Sequence, residues 1–203
     1  MKKGLIALIV VAIIGFISYS YLKGINNTAF TLEQDVKESW GNVETSYQRR
    51  NDLIGNLVKT VKGAADFEKS TLEAVINARS KATGVTIDPT NITPEQLQQF
   101  NQAQGGLSSA LSRLLVTVEK YPDLKANQNF LKLQDELVST ENQILTARTR
   151  FNEAIKPFNN HVGVFPNSIF AKWFGFTEKP FFEAEEGAEK PVDVEFDFSN
   201  KSE

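Results

Sequence analysis

The 203-residue sequence contains no cysteine and a single histidine, His161. Without cysteine the chain cannot form a disulfide, a thiolate metal site or a cysteine nucleophile. One histidine is too few for a di-iron helical bundle, which needs two Glu-x-x-His motifs, and beside Asn159 and Asn160 it has the context of a solvent-exposed imidazole. Glycine-rich phosphate-binding loops of either common spacing are also missing. We therefore expect no catalytic residue, no metal and no cofactor, and predict that the protein is not an enzyme.

Net charge is also scarce in the middle of the chain. The formal net charge is −3, but residues 24–177 hold 16 basic and 16 acidic side chains. Binding to nucleic-acid phosphates needs a basic face, so we expect no nucleic-acid partner. Residues 178–203 hold 3 basic and 9 acidic side chains. They also contain two prolines and one glycine. This composition predicts a disordered acidic tail.

One apolar run dominates the N-terminus. Gly4–Leu22 has no charged side chain, and at about 1.5 Å per residue its helical length is about 28 Å, close to the hydrocarbon thickness of a bilayer. A cleaved signal peptide would have a shorter apolar region and a small-residue cleavage site, whereas Ser20-Tyr21-Leu22-Lys23 closes this run. We therefore predict a membrane anchor over residues 1–23, with a single span at residues 4–22.

The residues that flank the run predict its orientation. Lys2 and Lys3 outnumber the single Lys23, which favours a cytoplasmic N-terminus and a body outside the cytoplasm. Tyr19 and Tyr21 lie where an aromatic belt would meet the lipid headgroups. The chain is thus expected to be a single-pass protein of the cell membrane. Residues 24–31 are then expected to form a short juxtamembrane connector.

The first helical pattern of the body begins at Thr31, which we predict to be an N-cap with Gln34 in a capping box. It ends near Gly63. One face of this helix is defined by positions that alternate at spacings of four and three residues, and we call it the α1 seam: Val36, Trp40, Val43, Tyr47, Arg50, Ile54, Leu57 and Val61. Such a heptad pattern is typical of coiled-coil packing.

Three more helical patterns follow. A short one covers about residues 67–82, the next opens at Thr93-Pro94 with a second capping box, and the longest runs from about residue 127 to residue 164. The fold class is therefore predicted to be all-α. We expect the transmembrane helix to be followed by an antiparallel four-helix bundle over residues 32–177, with long first and last helices.

Four charged residues fall at helical positions where apolar ones are expected: Arg50, Arg79, Glu141 and Arg148. A neighbouring helix could bring Arg50 or Arg79 next to Glu141. One hypothesis is a buried ion-pair network that sets the helix register. If the network is buried, replacing Glu141 or Arg148 alone with leucine would cost about 3–5 kcal/mol. The alternative is a polar pocket that binds a small anion.

A short segment near the end of the predicted body is unusually rich in large apolar side chains. Its members are Ile169, Phe170, Trp173, Phe174 and Phe176. They could pack across the open end of the bundle. Alternatively, they could contact the membrane surface or a protein partner, and we treat them as candidate partner-contact residues.

Several ordered motifs together resemble the bacterial LemA family. They are Trp40, Tyr47-Gln48-Arg49-Arg50-Asn51-Asp52-Leu53-Ile54, Asn56-Leu57-Val58, Glu68, Ala78-Arg79, Tyr121-Pro122-Asp123-Leu124-Lys125-Ala126-Asn127, Thr140-Glu141-Asn142, Ala147-Arg148, Phe151-Asn152, Phe158-Asn159, Phe165-Pro166 and Gly175-Phe176. The resemblance covers about residues 1–182. It implies an antiparallel helical bundle held to the membrane by one span, with Glu68 among its motif residues as well as the four helix-face charges.

The resemblance implies no reaction, because the family has no established activity. Since family members are often encoded near envelope proteins, it suggests an envelope scaffold. Our leading hypothesis is a non-enzymatic, membrane-anchored helical bundle that acts as an envelope scaffold or protein-interaction module, with an envelope protein as its partner. The alternative is a sensor of a small anion, with a polar pocket inside the bundle.

Overall fold

The structure is a computed structural model that describes residues 2–63 and 67–183. Within these residues the chain forms helices and no strands. Six helices are found: α1 (Lys2–Lys62), α2 (Lys69–Thr83), α3 (Pro94–Val118), α4 (Pro122–Lys125), α5 (Gln128–Gly163) and α6 (Asn167–Trp173). The all-α class is confirmed. The structure also contains two short helices, α4 and α6, in addition to the long helices that were predicted from periodicity.

Helix α1 runs without a break from the apolar run into the body. The prediction of a connector at residues 24–31 is therefore wrong. Thr31 is not an N-cap but lies inside the helix, where its hydroxyl donates to the carbonyl of Asn27 at 3.0 Å. Ile25 and Ala29 are buried in the same stretch, at 3% and 0% exposed. Their burial explains why the helix continues, since the poor helix propensity of asparagine and threonine costs only about 0.7 kcal/mol or less per residue.

The α1 seam faces the core, as its spacing predicts. Every one of its eight residues is at most 5% exposed. The seam packs against α5, and the two helices run antiparallel. Early in α1, the carbonyl of Ile25 lies 3.0 Å from His161 Nε2, late in α5. Further along α1, Arg50 lies 3.0 Å from Glu141, which comes earlier in α5.

The capping box predicted at Thr93 is confirmed, and the structure adds a cap at Asn127 that the sequence analysis did not predict. Thr93 caps α3 in a full capping box with Gln96, and the Asn127 side chain caps α5 by accepting from two backbone N–H groups. Helix α3 packs mainly on α2, and the Gln104 amide on α3 donates to the carbonyl of Ala82 on α2 at 3.3 Å. The pair α2 and α3 also meets the pair α1 and α5, because Leu57, Val75, Leu107 and Leu137, one from each of these four helices, belong to one buried cluster.

The body does not end at residue 177, as the composition of the C-terminus predicts. Beyond α6 the chain is non-helical and lies against α1 and α5 as far as Glu183. Lys179 is 3% exposed and Phe182 is 6% exposed. We call residues 177–183 the C-terminal strap. The rest of the predicted acidic tail, residues 184–203, lies outside the described residues.

Candidate functional site

Arg50 is the most buried of the four predicted charges, at 3% exposed. Its Nη1 donates to Glu141 Oε1 at 3.0 Å and to Ser108 Oγ at 3.3 Å, while its Nη2 donates to Gln104 Oε1. The guanidinium also lies 4.9 Å from the ring centroid of Tyr47. The sequence analysis allows Glu141 to pair with Arg50 or with Arg79, and the structure contains the pair with Arg50. Arg50 links α1 to both α3 and α5.

The other predicted charges lie apart from this pair. The Arg148 guanidinium donates to the carbonyl of Glu183 at 3.0 Å and lies 4.7 Å from the ring centroid of Phe182. Arg79 instead crosses α1 at Gly55, where an added Cβ would lie only 3.2 Å from its Cζ. The Arg79 Nε is buried and has no hydrogen-bond partner. The four charges therefore do not form one network.

Glu68, which the family resemblance singles out, is exposed at the start of α2. Its carboxylate accepts a hydrogen bond from the Ser70 hydroxyl at 2.7 Å. Glu68 is the N-cap residue of α2, where a carboxylate complements the partial positive charge of the helix N-terminus. The contact of Glu68 is thus local to α2.

A cavity of about 460 Å³ opens between α3 and α5. Both Arg50 and Arg148 line it, but so do Glu141 and Glu183. Two arginines and two glutamates thus line the same cavity. The cavity is polar, yet its charged side chains balance.

The most regular polar arrangement joins α5 to the C-terminal strap. Asn159 Nδ2 donates to the carbonyl of Lys179 at 2.8 Å, and Asn159 Oδ1 accepts from the Lys179 N–H at 2.9 Å. Asn152 does the same for Phe182, with distances of 2.9 Å to the carbonyl and 2.8 Å from the N–H. Each side-chain amide thus satisfies both backbone groups of one strap residue. We call this pair of asparagines the asparagine clamp.

The spacing of the clamp follows from the geometry of the two segments. Seven residues of helix advance about 10.5 Å, and three residues of extended backbone advance about 10 Å. Asn152 and Asn159 therefore stay in register with residues three apart in the strap. Sequence reasoning did not identify either asparagine as functional. The signal was the repeated Phe-Asn pair, in which each phenylalanine points into the core and the next residue lies at its edge.

The strap also places two side chains in closed surroundings. The Lys179 side chain is 1% exposed and its ammonium lies 3.2 Å from Glu33. It donates to the carbonyl of Thr90 at 2.7 Å and lies 4.8 Å from the ring centroid of Phe158. Three residues on, the Phe182 ring stacks on Trp40 with a centroid distance of 6.0 Å. The strap thus covers the edge of the core with one cation and one aromatic ring.

The Lys179 ammonium should make the free energy of unfolding change with pH in the alkaline range. Burial lowers the pKa of Lys179 below its usual 10.5, and the Glu33 carboxylate opposes this shift only in part. Between the lowered pKa and about 10.5, the unfolded chain binds more protons than the folded chain, so the contribution of Lys179 to the free energy of unfolding rises with pH. Urea unfolding of the wild type and Lys179→Met across this range checks the sign. The wild-type value should gain on that of the variant as pH rises, and a constant difference would contradict the assignment.

The candidate contact residues at α6 divide into two groups. Ile169 and Trp173 are 59% and 75% exposed. Phe170, Phe174 and Phe176 are half-buried, with the ring of Phe176 against that of Phe158 at a centroid distance of 6.3 Å. The segment therefore packs on the end of the bundle by one side and leaves the other side bare.

Helix α6 is also bonded to the end of the apolar run in α1. The Tyr21 hydroxyl donates to Asn167 Oδ1 at 3.0 Å, and Asn167 Nδ2 donates to the carbonyl of His161 at 3.2 Å. Because His161 is half-buried and its Nε2 lies 3.0 Å from the carbonyl of Ile25, the prediction of a solvent-exposed imidazole is wrong. These contacts join α1, α5 and α6 where the apolar run ends.

No group of three or more His, Asp or Glu side chains that could hold a metal occurs in residues 2–63 and 67–183. A family model described as the LemA family matches residues 39–196, which is more than half of the chain. The chain belongs to the LemA family. The match contains Arg50, Glu141 and the asparagine clamp.

Relatives of this LemA family member extend over most of its length. Magnetosome protein MamQ 2 of Paramagnetospirillum magneticum is 26% identical over 205 residues, covering 93% of this chain and 75% of the relative. Magnetosome protein MamQ of Magnetospirillum gryphiswaldense is 25% identical, with the same coverage of 93% and 75%. Protein LemA of Metamycoplasma hominis is 23% identical over 195 residues, covering 96% of this chain and 84% of the relative.

Proposed function

We propose that this LemA family member is a non-enzymatic, single-pass membrane protein whose helical body acts as an envelope scaffold or protein-interaction module. The observation that carries the proposal is the division of α1 into two parts. Every described side chain from Lys3 to Tyr21 is exposed, and all the large apolar ones in this stretch are at least 46% exposed. Apolar area in water costs about 25 cal/mol per Å². A bilayer removes this cost, and α1 has the length and composition to cross one.

The part of α1 that follows the apolar run also supports the proposal, because it belongs to the folded body. From Ile25 onward its inner face is buried against α5, α6 and the strap. We propose that the body is an antiparallel bundle of the long helices α1, α2, α3 and α5, with coiled-coil-like packing of the α1 seam. Because the span and the body share one helix, no flexible linker separates the bundle from the membrane surface. Following the lysine bias, we place the N-terminus in the cytoplasm and the body outside it.

Binding of a small anion between the arginines is the weaker candidate. The cavity beside Arg50 favours it by its size and polar lining. However, Glu141 already neutralises Arg50 at 3.0 Å, and Glu183 shares the wall with Arg148. An anion would have to displace or face these carboxylates. We therefore rank the scaffold above the sensor.

Crosslinking in intact cells tests the proposed function. Exposed lysines of the body, such as Lys81, Lys132 and Lys156, can react with an amine-specific reagent that does not cross membranes. We expect the purified full-length protein to carry crosslinked envelope proteins after this treatment, and the same cells treated with pre-quenched reagent to give none. Products obtained only with a membrane-permeant reagent would reverse the orientation. Failure to recover any protein with either reagent would contradict the scaffold.

A further inference from the structure

An apolar surface patch lies at the end of the body where α5 leads into α6. Val164 and Phe165 are 53% and 81% exposed, and Ile169 and Trp173 are 59% and 75% exposed. Ile169 and Trp173 are four residues apart in one helix and so share a face. Single exposed apolar residues are ordinary on a protein surface. Four within ten residues form a patch that calls for a specific environment.

Contacts with α1 place one end of α6 beside the proposed membrane span. Tyr21, which donates to Asn167 at 3.0 Å, is the next-to-last residue of the apolar run. Phe165 follows His161 by four residues, and α5 runs towards the N-terminal end of α1. The start of α6 therefore lies level with the last turn of the span.

Contacts with α5 show that α6 lies across the end of the bundle. Asn167 bonds to the carbonyl of His161, and Phe176 packs on Phe158. His161 and Phe158 are three residues apart, or about 4.5 Å along the α5 axis. Helix α6 itself has 7 residues, about 10 Å of length. The chain from Asn167 to Phe176 thus begins and ends at similar heights on α5, as it does when α6 runs sideways, parallel to the plane of the proposed bilayer.

Helix α6 packs on the bundle by one side and exposes large apolar side chains on the other. Ala171 is 0% exposed and faces the bundle, whereas Ile169 and Trp173 point outward and Lys172 is exposed beside them. Tryptophan favours the boundary between headgroups and acyl chains, and an amphipathic helix buries its apolar face there. We propose that α6 docks on the lipid surface of the membrane that α1 crosses, with Ile169 and Trp173 at the headgroup boundary. This proposal rests on the proposed membrane anchor and goes beyond it, because it gives the body a second attachment to the bilayer.

Single-cysteine probes can test the docking, because the full-length chain has no cysteine of its own. We would place a bimane fluorophore at Ile169→Cys and Trp173→Cys, and reconstitute the full chain in nanodiscs of phosphatidylethanolamine and phosphatidylglycerol. Leu145→Cys on α5 is the matched control, since this apolar side chain is 63% exposed but lies 16 residues before His161. Gly15→Cys, where an added Cβ meets no atom within 4 Å, reports on the span.

Quenching by lipids brominated near the headgroups reports on positions 169 and 173, and quenching by lipids brominated deep in the acyl chains reports on position 15, which lies about 10 Å before the end of the proposed span. We expect probes at positions 169 and 173 to be quenched several-fold more than the probe at position 145. If the probe at position 15 is quenched and those at positions 169 and 173 behave like position 145, lipid docking of α6 is wrong and the anchor stands. Loss of quenching at position 15 as well would overturn both proposals. Protection of positions 169 and 173 from aqueous reagents in cells, without lipid quenching in nanodiscs, would assign the patch to a protein partner and reject the lipid surface.

Discussion

Glu141→Leu is expected to lower the free energy of unfolding by about 2–3 kcal/mol, between the values typical of exposed and buried ion pairs. The cost arises at its partner, because Arg50 is 3% exposed and would keep its charge without a counterion. The Glu141 side chain itself is 48% exposed, so solvent screens the pair in part. Urea unfolding of the full chain in nonionic detergent measures the change. Arg50 would retain its bonds to Gln104 and Ser108, which keeps the loss below that of a fully stripped charge.

A second variant tests whether the unpaired charge of Arg50 causes the loss of stability. Replacing both members of a buried pair removes the uncompensated charge, so Arg50→Leu combined with Glu141→Leu should be more stable than Glu141→Leu alone. Glu153→Leu, an exposed glutamate on the same helix, controls for adding leucine to the surface of α5. If the double variant loses the sum of both single effects, the pair does not act as a unit and the explanation is wrong.

Arg148 needs a different expectation from the one that its spacing suggests. The sequence places it two turns from Glu141, as if both belonged to one network. In the structure it is half-buried and bonds to the carbonyl of Glu183 in the strap. Spacing along one helix shows which residues share a face, but it does not show which distant segment will cover that face. The predicted cost of about 3–5 kcal/mol for a buried network member therefore does not apply to Arg148→Leu.

Local patterns predicted the helices well, because the evidence for them is short-range. The α1 seam and the Thr93 capping box both depend on residues within one helix or its first turn. The connector at residues 24–31 failed for the opposite reason. Asparagine and threonine there disfavour a helix only weakly, and the tertiary burial of Ile25 and Ala29 outweighs that preference.

The C-terminal strap could not be found from composition. Its acidic and proline-containing surroundings have the properties of a disordered tail, and only two of its residues supply the buried contacts. Those contacts come from Asn152 and Asn159, which are far away in sequence and bond to backbone atoms. Backbone groups carry no sequence signal. The repeated Phe-Asn pair was therefore visible while its partner was not.

The asparagine clamp should be the strongest single determinant of strap attachment. Replacing both Asn152 and Asn159 with alanine removes four hydrogen bonds. It also leaves the N–H and carbonyl groups of Lys179 and Phe182 unpaired, at residues that are 3% and 6% exposed. An unsatisfied buried polar group costs about 1–3 kcal/mol. We expect the double variant to lose about 4 kcal/mol of the free energy that holds the strap in place.

Hydrogen exchange measures this attachment directly at the strap. A loss of about 4 kcal/mol corresponds to roughly a thousandfold increase in the local opening constant, so the amide protons of Lys179 and Phe182 should exchange much faster. Asn160→Ala makes the same chemical change at an exposed position of the same helix, and it should leave both amides protected. If the double variant retains slow exchange at both amides, the strap is held by the Lys179 and Phe182 side chains. In that case Glu33, Trp40 and their neighbours, rather than the regular spacing of the clamp, would explain why the chain lies along α5.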